Sequence, residues 1–118
     1  MTKQSPIDLV HLEKYVVGDD ALRDEILTIF DDQASALCAQ FSEAQTDDGW
    51  SNTAHALKGA SRGIGAWALG DLCEEAESLV GKKPGKREKR ALLLISIQNN
   101  ISNILTESER IRNIGLCA

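Results

Sequence analysis

The chain has 118 residues, 42% of them apolar and only 4% aromatic, and carries a net charge of −5. That length fits one domain, residues 1–118, and that apolar share supports a core, which excludes a disordered chain. The acidic balance excludes a general grip on nucleic acid, which needs a basic surface, and no apolar run reaches membrane-spanning length.

With aromatics this scarce, the core must be built from Leu, Ile and Ala, a composition that favours helix on helix. The first predicted helix is short, from Pro6 to Val17, with Ser5 as its cap, Pro6 in its first turn and Gly18 at its end. The second runs from Asp20 to Ala44. Leu22, Ile26, Ile29, Phe30, Ala34, Leu37 and Phe41 recur along it at a helical period.

The third helix starts at Asp47 or Asp48, a suitable cap, and runs to Gly63. The fourth runs from Ala66 to Val80, with Leu69, Leu72, Cys73, Ala76 and Val80 on one side. Gly81 to Lys86, GKKPGK, breaks the pattern, because Gly and Pro disfavour continuation. The fifth runs from Arg87 to Arg112 on a stripe of Leu94, Ile97, Ile101, Ile104, Leu105 and Ile111. The expected fold is therefore all-α: an antiparallel up-down-up-down four-helix bundle with a short extra N-terminal helix.

Lys82, Lys83, Lys86, Arg87, Lys89 and Arg90 crowd one segment between helices. Such a run is expected to be a solvated turn, with a docking surface for an acidic partner as the alternative. Cys38, Cys73 and Cys117 are odd in number and far apart, without CxxC or metal-ligand spacing, so free thiols in a reducing cytoplasm are expected. The opening MTKQSPIDLV has no secretory apolar core.

The informative stretch is His55 to Glu77. At about 100° per residue, Trp50, Ala54, Leu57, Ser61 and Ile64 share one side of the third helix, which should face the core. His55, Lys58, Gly59 and Arg62 fall at i, i+3, i+4 and i+7 on another face. His55 is thus predicted to be exposed, with two cations beside it. Gly59 in a helix interior costs roughly 0.5–1 kcal/mol relative to Ala, and an exposed position has no packing reason for it. A missing side chain there lets another body approach the imidazole. The neutral ring has a nucleophilic nitrogen near pH 7. Lys58 can neutralise phosphoryl oxygens, and Arg62 can do the same from farther off or complement an acidic partner.

His55-Ala56-Leu57-Lys58-Gly59-Ala60-Ser61, followed by Ile64-Gly65-Ala66, Leu69, Leu72-Cys73 and Glu77, resembles the motif of the histidine-containing phosphotransfer (HPt) family. The resemblance implies a four-helix bundle with a phosphoacceptor histidine exposed midway along one helix. It implies that His55 exchanges a phosphoryl group with an aspartate of response-regulator receiver domains in a bacterial-type two-component phosphorelay. A sensor histidine kinase is a further partner in some cases. Lys58 then steadies the phosphoryl group and Gly59 gives the receiver room. Glu77, where the family often has Gln or Glu, orients the imidazole. Ala76 replaces a larger aliphatic residue common just before it.

Trp50 and Trp67 flank the motif helix and are expected in the core or at a bundle end, Trp67 also bordering the docking surface. His11 lacks the LKG context and is expected to be structural or exposed. The sequence has no GxxxxGK[ST] nucleotide loop and no clustered acidic pocket for Mg²⁺. The expectation is a monomeric phosphocarrier, with no cofactor of its own and Mg²⁺ supplied by the receiver. The competing reading is a docking bundle that binds a receiver or kinase without carrying phosphate. A metal enzyme built in a bundle core needs paired Glu and Glu-x-x-His ligands, an arrangement neither histidine has.

Overall fold

The computed structural model describes residues 5–43 and 46–114. Cys117 and the predicted helix end at Ala44 lie outside these. Five helices and no strands occur among the described residues: α1 Leu9–Val16, α2 Asp20–Glu43, α3 Asp47–Gly63, α4 Trp67–Glu77 and α5 Lys86–Arg112. The four long helices run alternately up and down. α3 packs chiefly on α2 and α4, and α5 packs on the same two helices from the other side. The all-α bundle with a short leading helix is as expected. No helix among the described residues is long and apolar enough to cross a membrane.

The caps differ from expectation. Ser5 does not cap α1, because its hydroxyl donates to Glu107 at 2.8 Å while Pro6 and the buried Ile7 bring the chain in as a non-helical arm. Asp8 caps instead, its carboxylate accepting the His11 N–H at 3.2 Å. Thr46, not an aspartate, caps α3 by accepting the Gly49 N–H at 3.0 Å. Asp47 is thereby free to reach across the bundle end. It accepts the Gly81 N–H at 2.8 Å and pairs with Lys86 at 3.0 Å and Arg90 at 2.7 Å.

α4 stops at Glu77, three residues before the expected Val80. The Ser78 and Leu79 N–H groups turn back to Glu75 and Ala76, and the Ser78 hydroxyl also donates to Glu75. These i→i+3 bonds tighten and close the helix. Leu79 still reaches the core beyond it.

The core stripes also shift. On α2 the buried apolar residues are Leu27, Phe30, Ala34 and Phe41, whereas Leu22 and Ile29, placed on the stripe by periodicity, are exposed. Leu27 was missed because α2 is apolar on more than one side. On α5, Leu93 is buried and Leu94 only partly so. On α3, Trp50, Ala54, Leu57, Ser61 and Ile64 are all buried, as expected. The hydroxyls buried with them are satisfied within the helix: Thr53 donates to Gly49 and Ser61 to Leu57.

Candidate functional site

With one side of α3 given to the core, His55 projects outward midway along the helix, its side chain 74% exposed. Nδ1 lies 3.6 Å from Oε2 of Glu77, the last residue of α4. That is too long for a hydrogen bond but close enough to direct Nδ1 toward the carboxylate. Nε2, across the ring, is the nitrogen left away from it.

The same carboxylate holds Lys58, whose Nζ stands 2.6 Å from Oε1. Lys58, only 19% exposed, is thus paired within the domain, a partner that the sequence did not show. The pairing has a physical cause. Glu77 ends a helix whose last turn carries no basic residue, so its charge opposes the helix dipole until Lys58 offsets it. The Glu77 carboxyl is held below the usual glutamate range, chiefly by Lys58, with His55 adding to the pull and partial burial opposing it.

Gly59 is exposed one turn beyond His55, and a Cβ built there meets no atom within 4 Å. The gap beside the imidazole is open. Below the site Cys73 is fully buried, and burial, with the nearby Glu77 charge, pushes its thiol up to about 12. That makes it packing and not a nucleophile. Among the described residues no group of three or more His, Cys, Asp or Glu could hold a metal ion.

An exposed imidazole on a bundle helix, with a lysine, a carboxylate and a vacant position around it, matches a known pattern. The family model described as Hpt domain matches residues 20–108. The chain belongs to the Hpt domain family. The match spans α2, α3, α4 and most of α5, and leaves α1 outside. The solved structure of the histidine phosphotransferase ShpA from Caulobacter crescentus is similar to it, with 28% identity and a TM-score of 0.67. That similarity covers 89% of this chain and 88% of that one. No curated protein matches the sequence. Membership places the chain among the histidine phosphotransfer proteins of two-component signalling.

In this Hpt domain two further candidates sit apart from the imidazole. The Arg62 stem crosses α4 over Gly70, where a Cβ would come within 2.9 Å of it. Its guanidinium lies 3.5 Å from both Asp71 and Glu74, so it is turned to α4 and away from His55. Trp67 is partly exposed at the start of α4. Its indole N–H donates to Asp8 at 2.9 Å, and its ring meets His11 edge-on at 4.7 Å. Trp67 therefore clasps α1 to the turn between α3 and α4.

Gly65 makes that clasp possible. The Asp8 N–H donates to its carbonyl at 2.9 Å, its φ is +79°, and a Cβ would stand 2.9 Å from Asp8. Sequence reasoning missed two positioning residues. One is Asp47, whose capping role goes to Thr46. The other is Trp50, whose indole N–H donates to the Ala76 carbonyl at 2.7 Å. Thr46, a good cap residue directly before Asp47, was the available signal for the first. The second depends on long-range packing and had none.

Proposed function

We propose that this Hpt domain is a phosphocarrier in which His55 exchanges a phosphoryl group with an aspartate of response-regulator receiver domains. The single observation behind it is the exposed His55 ring, with Nδ1 toward Glu77 and open space at Gly59. A carboxylate beside Nδ1 favours the tautomer with its proton there, leaving the Nε2 lone pair as the nucleophile.

The step is an in-line displacement. Nε2 attacks phosphorus as the bond from phosphorus to the aspartyl oxygen breaks, and the aspartate leaves as a carboxylate. The proton stays on Nδ1, facing Glu77, so the positive charge that develops on the ring meets a negative one. Lys58 exchanges Glu77 for a phosphoryl oxygen as the group arrives. The same residues serve the reverse transfer. Mg²⁺, which neutralises phosphoryl charge, belongs to the receiver in this reading. The proposed setting is the cytoplasm, where the free thiols of Cys38 and Cys73 stay reduced, and the proposed state is a monomer.

The test is incubation with a receiver domain phosphorylated on its aspartate. Wild type is expected to take up acid-labile label and His55→Gln none. Equal labelling of the two, or no labelling of wild type by a receiver known to pass phosphate to another carrier, overturns the reading. His55→Ala that keeps receiver affinity while wild type never acquires phosphate points to a docking module.

A further inference from the structure

A cavity of about 400 Å³ opens where the N-terminal arm and the start of α1 meet the start of α4 and the end of α5. That size is typical of small-molecule sites. Leu9, Val10 and Trp67 give it apolar walls. Val10 is 73% exposed and Trp67 43%, so the domain itself leaves much of this apolar surface in water. One wall is also particular to this chain. Residues 5–10 and Arg110 line the cavity or border it, and all lie outside the part that matches the family model.

Three ionised side chains line the same space: Asp8, Glu107 and Arg110. Two of them cancel. The Arg110 guanidinium donates to both Glu107 oxygens, Nε to Oε1 at 2.5 Å and Nη2 to Oε2 at 3.0 Å, and the Ser5 hydroxyl adds a third bond to Oε2. Asp8 has only neutral partners. Its Oδ1 accepts the His11 backbone N–H and its Oδ2 the Trp67 indole N–H. Those bonds, that of Trp67 foremost, hold its carboxyl below the usual aspartate range, so it is charged at neutral pH. Each oxygen keeps a lone pair for a further donor. The N-terminal end of α1 offsets at most about half a charge. Arg110 is the one Lys or Arg lining the cavity among the described residues, and His11 does not line it. A net negative charge therefore remains beside the apolar walls.

We propose that this cavity is a binding site for a small organic cation, an amine carried on an apolar body. The ammonium group sits at Asp8 and the body lies against Leu9, Val10 and Trp67. Charge decides the sign of the ligand. An anion drawn to Arg110 would share the cavity with two carboxylates, one of them already holding that guanidinium. An ammonium group supplies N–H donors to the free lone pairs of Asp8 and offsets its charge, a pairing stronger than one between neutral groups.

The site is separate from the His55 face. No α3 residue lines the cavity among the described residues, and its walls come from the arm, α1, α4 and α5. Both sites can be occupied at once, and the inference stands whether or not His55 carries phosphate. A bound ligand touches α1 and α4 together, so it braces the leading helix against the bundle.

The probe is phenethylamine, with phenethyl alcohol and hydrocinnamate as controls that keep the body and remove or reverse the charge. In amide NMR titrations the amine is expected to shift Asp8, Leu9, Val10, Trp67 and Arg110 saturably and to slow hydrogen exchange in α1. The alcohol is expected to bind about tenfold more weakly, and hydrocinnamate more weakly still. Asp8→Asn, which keeps a good cap for α1, should weaken amine binding about tenfold. Val10→Lys, at an exposed position, should weaken it too. Arg110→Gln should tighten it, because Glu107 then adds an unpaired negative charge. Circular dichroism should show each variant folded, and His55→Gln should bind like wild type. Equal binding of amine and alcohol, preference for hydrocinnamate, or no saturable shift in wild type overturns the proposal. So do shifts centred on His55 and Gly59, or weaker binding in Arg110→Gln.

Discussion

Trp50 donates its indole N–H to the carbonyl of Ala76 at 2.7 Å; Trp50 lies five residues before His55 in α3, and Ala76 directly precedes Glu77 in α4. Trp50 is buried, set edge-on against Phe41 at 4.8 Å, with the Arg90 guanidinium 4.7 Å over its ring. A buried indole held on three sides fixes the register of α3 against α4, and through it the spacing between imidazole and carboxylate. Trp50→Phe should keep an aromatic in the core, lose the bond, and cost about 1–3 kcal/mol in denaturant unfolding. Phosphotransfer should slow more than the loss of folded protein explains. A variant that loses stability but transfers at the wild-type rate per folded molecule would show that the bond does not position the site.

Gly59 separates stability from function. A Cβ there meets nothing within 4 Å, so nothing in the domain requires the glycine. Gly59→Ala should therefore raise stability by about 0.5–1 kcal/mol, the ordinary gain for an exposed helix interior. Gly59→Gln should also fold, yet slow transfer from a receiver strongly, since its side chain fills the approach to His55. Thermal unfolding and transfer rates, measured on the same preparations, should move in opposite directions.

How much of this was legible in the sequence depends on the range of the interaction. The exposure of His55 and Gly59 followed from helical period alone, because Trp50, Ala54, Leu57, Ser61 and Ile64 take the core side of α3, whereas period could not show that Arg62 folds over onto α4. The ends of the helices did not follow. Ser5 and Asp47 are good caps by composition, but each is engaged by a distant residue, Glu107 in one case and Gly81, Lys86 and Arg90 in the other. The pairing of Lys58 was invisible for the same reason, since its partner is on another helix. On α2, apolar residues on several sides left period unable to choose between Ile29 and Leu27.

Glu77 gives a pH signature with a definite sign. Its carboxyl is held below the ordinary value of 4.5, chiefly by Lys58. A depressed acid stabilises the folded state at pH above its unfolded value, and that contribution disappears as the pH falls through the folded value. The stability difference between wild type and Glu77→Gln should thus be present at neutral pH and shrink as the pH drops below 4.5. In transfer the two substitutions should part. Glu77→Gln keeps an oxygen to face Nδ1–H. Glu77→Ala does not, and should slow transfer by about 10–100-fold, as loss of an orienting partner does at other histidines. Nitrogen NMR of the imidazole should show the tautomer bias weakened in Glu77→Ala and retained in Glu77→Gln.

Asp47 is the strongest electrostatic tie at the opposite end from α1. The Gly81 N–H comes first, then Lys86 and Arg90, and together they hold its carboxyl down to about 2. Here too the folded value lies below the unfolded one, so the contribution is full above 3.8 and is lost as the pH falls toward 2. Asp47→Asn keeps the shape but loses the charge that Lys86 and Arg90 share. Its unfolding midpoint should fall below that of wild type at neutral pH, and the two should converge as the solution is acidified through that window. Added salt should narrow the gap as well, because the carboxylate is partly open to water. His55 lies two turns along α3 from Asp47, so labelling by a phosphorylated receiver should persist in the folded variant. A gap that stays constant from neutral pH down to 2 would mean that the shape of the side chain, not its charge, holds α3 to α5.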